Sequence, residues 1–185
     1  MRCLFTYGGM YLVCNSNLLY HASVPLNEDG SFKHVNICGK EYWGKNLLDK
    51  IDQLIRTAYF DEDDEEEKRF AMDYIWYLWC GPDAPSFDKD KMATFERYFI
   101  ADKSLHKETK GYYYALRNKE EICDRILEEF GVTGQHTHII NGHVPVKTIK
   151  GEQPMKAGGK LLVIDGGFSK AYHCLLYTSP SPRDA

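Results

Sequence analysis

Two apolar runs, His138-Ile139-Ile140 and Leu161-Leu162-Val163-Ile164, each stop abruptly in a small polar cluster, Asn141-Gly142-His143 and Asp165-Gly166-Gly167. Runs this short, rich in β-branched residues and bounded by turn residues, read as buried strands rather than helices. Between them lies "VPVKTIKGEQPMKAGGK", a loop broken by proline and glycine. A sheet edge presenting a histidine and a glycine-flanked aspartate is a place where chemistry can be done. The same clusters also satisfy the plainer description of two turns.

The rest of the chain supplies further elements. The opening "CLFTYGGMYLVCNSNLLYHASVPL" reads as short β-rich runs around Gly8-Gly9 and Asn15-Ser16-Asn17, a hairpin feeding a third strand. That third run, Leu18-Leu19-Tyr20, ends at His21-Ala22-Ser23, and Pro25 imposes an extended exit. A second histidine therefore stands at a strand end. Leu47, Leu48, Ile51, Leu54, Ile55 and Ala58 recur at helical spacing across Gly44 to Tyr59. A second helix is expected from Glu65 to Trp79, its buried stripe formed by Phe70, Ala71, Tyr74, Ile75, Leu78 and Trp79, with Gly81-Pro82 ending it. The aromatic density there reads as core; the large aromatic faces of the helices also point to a partner surface, with Trp43, Trp76 and Trp79 as plain core the other reading. A shorter helix is expected over Lys91 to Ile100, and another over Lys119 to Phe130 with Gly131 as its stop. Strands, then helices, then strands indicate an α/β or α+β layer structure without internal repeats.

With 185 residues the chain is long enough for one well-buried core and too short for two large domains. Its 23 basic against 27 acidic residues, net −4, argue against a nucleic-acid binder with a basic face. The run "DEDDEEE" from Asp61 to Glu67 repels itself and is expected as an exposed loop leading into a helix. Six cysteines lack the two-residue spacing of a zinc or redox motif, which fits reduced thiols. No apolar stretch is long enough for a bilayer and the first residues lack signal-peptide features, so a cytoplasmic protein away from membranes is expected.

Imidazole is the commonest nitrogen ligand of transition metals, and a preceding glycine allows the backbone to turn sharply. Taken together, strand, Gly-His-Val-Pro-Val, loop, strand and Ile-Asp-Gly-Gly resemble the closing motif of calcineurin-like metallophosphatases. The resemblance implies that His143 binds one ion of a dinuclear centre, with the loop supported by Asn141, Gly142 and Asp165. "LLYHASVPL" is similar to the stretch that gives the same ion a second histidine, here His21, with Ala22-Ser23 replacing the usual glycine pair. "YLWCGP", Tyr77 to Pro82, is similar to the Leu-Trp-Ser-Asp-Pro of the Ser/Thr phosphatase branch, and Arg97 corresponds to a phosphate-binding arginine.

"WYLWCGPDAPSFDKDKMATFERYFI", "EEICDRILEEFG" and "INGHVPVKTIKGEQPMKAGGKLLVIDGGFSKAYH" resemble class III fructose-1,6-bisphosphatases over nearly the whole chain. The resemblance implies an α/β fold, part of a metallophosphatase β-sandwich flanked by helices, with residues 1–173 forming the C-terminal portion of a catalytic domain. It implies hydrolysis of the 1-phosphate of fructose 1,6-bisphosphate in gluconeogenesis, Mn2+ or Mg2+ as the dinuclear cofactor, and a sugar bisphosphate as partner, with a homo-oligomer of the intact enzyme left open. Lys147 and Lys150, with Lys156 and Lys160 nearby, are the candidates for the second phosphate. The upstream Asp-x-His, Gly-Asp-x-x-Asp and Gly-Asn-His motifs are missing, so a fragment inactive by itself is expected. A non-catalytic module that binds a phosphorylated ligand is the alternative. His136 and His138 are read as alternating on one strand face near the site, while His34, His106 and His173 show no constellation. Residues 174–185, "CLLYTSPSPRDA", resemble the translation of a sequencing adaptor and are set aside.

Overall fold

The computed structural model describes residues 2–62, 64–146 and 151–165. In chain order its elements are α1 (Arg2–Tyr7), β1 (Tyr11–Cys14), β2 (Asn17–Tyr20), β3 (Val35–Ile37), β4 (Lys40–Tyr42), α2 (Gly44–Phe60), α3 (Glu65–Cys80), α4 (Thr94–Phe99), α5 (Tyr113–Leu116), α6 (Glu120–Glu129), β5 (His138–Asn141), β6 (Met155–Lys156) and β7 (Leu161–Val163). The architecture is mixed α/β. The chain divides into two compact units, Met1–Met10 with Ser23–Ala115, and Tyr11–Ala22 with Leu116–Ala185. No helix among the described residues is long and apolar enough to cross a membrane.

The second unit is built on a five-stranded sheet of order β1-β2-β5-β7-β6. β1 and β2 form an antiparallel hairpin through Asn15 and Ser16, both left-handed at φ 49° and 61°. Two consecutive positive φ values match the right-handed twist of the flanking strands, which is why Asn and Ser serve there. β2 runs parallel to β5, and β5 parallel to β7, while β6 closes the edge antiparallel to β7. Three parallel strands therefore release their carboxyl ends at one edge of the sheet, the side on which α/β folds place ligands.

Leu18, Ile139, Leu161 and Val163 are fully or almost fully buried in this unit. α6 buries Ile122, Cys123, Ile126 and Leu127 at the expected 3.6-residue spacing. Its end is closed by Gly131 at φ +72°, with Val132 N–H donating to the Leu127 carbonyl and Gly131 N–H to that of Glu128. Phe130 packs edge-on against Tyr11, ring centroids 4.8 Å apart, tying the helix end to β1.

In the first unit, α2 and α3 pack as a pair around Leu47, Ile51, Leu54, Ala71 and Leu78, joined by Ile37, Ala84 and Phe87. The acidic run serves α3: Asp64 caps it, accepting from the Glu66 and Glu67 amides, and Glu65, Glu66 and Glu67 fill the first turn where the helix dipole favours negative charge. Gly81 ends α3 under the Tyr77 ring, whose hydroxyl donates to the Pro82 carbonyl at 2.6 Å.

Two expectations are corrected here. Arg2–Tyr7 is a helix and not a strand: Arg56 donates to the carbonyls of Phe5 and Gly8, and Phe5 stacks on Tyr59 at 4.2 Å. Tertiary contacts with α2 thus satisfy its terminal carbonyls and override the β-rich composition. The expected stripe of α3 is core only in part: Ala71 and Leu78 are buried and Tyr74 packs half-buried against them, but the remaining aromatics are not core. Only Ala71 and Leu78 are buried on this helix, whereas Trp76 is 61% and Trp79 47% exposed. Aromatics surround α3, so only the narrow row facing α2 is covered. The outer rings associate with one another instead, Trp76 with Trp79 at 5.3 Å and Trp79 with Phe95 at 5.7 Å. Trp43, 37% exposed, lies flat on His34 at 4.3 Å. The described cysteines Cys3, Cys14, Cys38, Cys80 and Cys123 are free thiols.

A methyl group on Gly81 would lie 2.3 Å from Cε2 of Tyr77. G81A is therefore expected to displace that ring and to cost roughly 1–3 kcal/mol in urea unfolding. Asp88 offers a pH test. It is 4% exposed, one carboxylate oxygen lacks a hydrogen-bond partner, and the other end of the group occupies the slot left by Gly111. Burial pushes its pKa up to about 6, opposed by the amides of Tyr113 and Tyr114. Between about pH 4, the unfolded value, and the folded value, the native state holds more protons than the unfolded one, so stability falls as pH rises. The stability of D88N relative to the parent should therefore increase across this window and level off above it.

Candidate metal-binding site

The carboxyl ends of β2 and β5 lead directly into the two histidines. His21 follows β2 and His143 lies two residues beyond β5, and the structure brings His21 Nε2 to 3.1 Å from His143 Nδ1. The rings meet edge to face with centroids 5.0 Å apart. The pair is held by backbone as well as side chain, since Gly142 N–H donates to the His21 carbonyl at 2.9 Å. The loop after β7 joins the same edge: Val146 N–H donates to the Asp165 carbonyl, and Ile164 N–H to the Asn141 carbonyl at 2.8 Å.

The turn at this edge falls on a different residue from the one expected. Gly142 would accept a methyl group at ordinary contact distance, 3.6 Å from Asp165 Cβ and 3.7 Å from the His21 carbonyl oxygen, whereas His143 itself is left-handed at φ 64°. Histidine is among the side chains that tolerate this region, at some cost in strain. The strain aims Nδ1 of His143 at His21.

This donor set fits part of a metal site. Two nitrogen–metal bonds of about 2.1 Å meeting near a right angle span roughly 3 Å, the separation the two imidazole nitrogens already have. Among the described residues no group of three or more His, Cys, Asp or Glu that could hold a metal ion is found.

The remaining candidates are dispersed. Arg97 lies on α4 in the first unit, Nη2 standing 3.4 Å from a Glu108 carboxylate oxygen and 3.4 Å from the His106 carbonyl. Lys156 pairs with Glu152, and Lys160 with Asp124 at 2.8 Å. Lys147, Lys150, His173 and residues 174–185 lie outside the described residues. His136 sits in a bend before β5, and His138, at the opposite end of β5 from His143, bonds to the Gly159 carbonyl through Nδ1 at 2.9 Å. The expected pairing of these two histidines on one strand face near the site is not realised, because β5 begins only at His138. His34 bonds to Glu41 at 3.0 Å and His106 to the Ile100 carbonyl at 2.8 Å.

Two specific hydrogen-bonding arrangements escaped the sequence reading. Ser23, replacing a glycine in the resembled motif, is buried and donates through both its amide and hydroxyl to the Pro85 carbonyl. Asn141 is buried and donates through its side chain to the Ala22 carbonyl at 3.0 Å. A polar residue closing an apolar strand was the available signal for the second.

Comparison with known proteins places the chain in a family. The chain is 81% identical over 172 residues to the class 3 fructose-1,6-bisphosphatase of Bacteroides thetaiotaomicron, covering 93% of the chain and 26% of that protein. It is 69% identical over 173 residues to the Phocaeicola vulgatus protein of the same name, covering 94% of the chain and 26% of the relative. The Clostridium tetani protein of that name is 59% identical over 172 residues, 93% of the chain and 26% of the relative. The chain thus spans about a quarter, 26%, of the length of these relatives. No solved structure matches it. The model of the Firmicute fructose-1,6-bisphosphatase family matches residues 1–176, and the chain belongs to that family.

Proposed function

We propose that this chain supplies one part of the active site of a metal-dependent phosphatase that removes the 1-phosphate of fructose 1,6-bisphosphate, a gluconeogenic reaction of the cytoplasm. The observation that carries the reading is the convergence of His21 Nε2 and His143 Nδ1 at 3.1 Å on the carboxyl edge of three parallel strands. The names of the relatives support the substrate.

His21 and His143 are the residues proposed to hold one divalent ion of a pair, Mn2+ suiting their nitrogen donors better than Mg2+. Such ions, when bound, activate water and neutralise charge on phosphoryl oxygens during in-line displacement. The chain's own contributions are positional. The backbone bond from Gly142 to His21 keeps the imidazoles together, and Asp165 supports the loop from the β7 side. Arg97 is proposed to grip phosphate through its planar guanidinium, which requires exchanging Glu108 for substrate. Lys147 and Lys150 are proposed for the second phosphate.

The convergence of only two donors among the described residues bears on the chain taken alone. A catalytic site of this kind needs further ligands, so the 185-residue chain by itself is proposed to lack turnover and at most to bind a phosphorylated ligand. Two outcomes follow. In a polypeptide of the relatives' length carrying this chain as its matched quarter, H21A and H143A should each lower phosphate release by at least ~100-fold, ~2.7 kcal/mol of barrier, with far-ultraviolet circular dichroism unchanged. Near-parental activity in either variant removes that histidine from the site. The isolated chain with Mn2+ should release phosphate from fructose 1,6-bisphosphate far more slowly than that longer polypeptide; a rate within about tenfold of it, ~1.4 kcal/mol, would show the site to be complete here.

A further inference from the structure

We infer that Asn141 is a positioning residue: its buried side-chain amide locks the loop carrying His21 to the loop carrying His143 and thereby sets the approach of the two imidazoles. The inference rests on the reading of that pair as a metal-holding site. It starts from where the sheet stops. The β2–β5 ladder ends with Leu19 opposite Ile140, so the ladder does not extend to His21 and Ala22. Two bonds take its place. One is Gly142 N–H to the His21 carbonyl, and the other is Asn141 Nδ2 to the Ala22 carbonyl at 3.0 Å.

Asn141 touches all three strand ends through different groups. Its backbone runs directly into Gly142-His143, its side chain reaches the residue after His21, and its carbonyl receives the Ile164 amide beyond β7. Asn141 and Ala22 are each 1% exposed, so the Ala22 carbonyl has little access to water as a substitute partner. Losing the donor therefore exposes the full desolvation cost of that carbonyl instead of exchanging one bond for another. The simplest relief is for residues 21 and 22 to move outward, which carries His21 away from His143. The left-handed backbone of His143 is the kind of local strain that persists only where its surroundings over-determine it. Aspartate at this position keeps the shape and removes the donor; serine is neutral and too short to reach.

The test uses the full chain with N141D and N141S, Mn2+ as the probe, and two readouts other than activity. Amide hydrogen exchange follows Gly142, bonded to His21, against Ile139, whose amide donates to Lys160 deeper in the sheet. Electron paramagnetic resonance of free Mn2+ gives its affinity. Both variants should accelerate Gly142 exchange by about tenfold or more while Ile139 keeps its protection, and should weaken Mn2+ binding by about 10–100-fold, the usual effect of removing a group that orients a ligand. Gly142 exchange within about twofold of the parent in both variants would overturn the inference. So would loss of protection at Ile139 in both, which would show Asn141 to hold the sheet and not the loops. If the parent chain binds no Mn2+ while Gly142 responds as expected, the positioning role stands and the metal reading fails.

Discussion

Parallel pairing of β2 with β5, and of β5 with β7, brings three strand ends to one edge and leaves their continuations without ladder partners. Each continuation carries polar backbone that must be satisfied locally. The solution is a set of bonds from one strand end to the next: Gly142 donates to His21, Asn141 to Ala22, and Ile164 to Asn141. The imidazole pair is a consequence of these bonds, because two side chains of short reach become neighbours only when their backbones are fixed within a few ångströms. A one-residue slip of β5 against β2 would turn Asn141 to the opposite face and undo both bonds at once.

The first unit answers to a different constraint. Its core is a helix pair in which small and branched residues meet, with Ala71 and Leu78 on one side and Leu47, Ile51 and Leu54 on the other. Alanine at the contact lets the helix backbones approach; Tyr74 packs beside it, while Trp76 and Trp79 lie on the outer surface. Helix α1 shows the same priority of packing over composition. Its carbonyls are taken by Arg56, a donor with a rigid planar fork that no strand pairing at that position would have supplied.

Much of this was legible in residue order. Period alone located α2 and α6 to within a residue or two, since the apolar positions of each lie on one face and the 3.6-residue signal is clean. Helix α3 was found and Ala71, Tyr74 and Leu78 of its stripe were placed correctly, but Phe70, Ile75 and Trp79 were not, because a helix with aromatics on every side has no unique apolar stripe to read. The two histidines were legible as strand-end residues, and their common destiny came from resemblance to a family rather than from periodicity. Asn141 was recognised as part of a supporting loop, but its bond to Ala22 was not, since nothing in "IING" identifies the carbonyl it reaches.

What the sequence by itself determined is local: where strands begin and stop, which helix faces are apolar, and that a histidine stands at the end of each of two strands. These follow from side-chain period, turn chemistry and caps, all of which act within a few residues. Tertiary structure alone decided that His21 and His143, 122 residues apart, share one edge, that Asn141 bonds to Ala22 across 119 residues, and that the left-handed conformation falls on His143 and not on Gly142. The physical reason is that strand order and direction are set by the burial of whole faces against one another, and a pattern of alternating residues states which side of a strand is buried without stating which strand lies beside it.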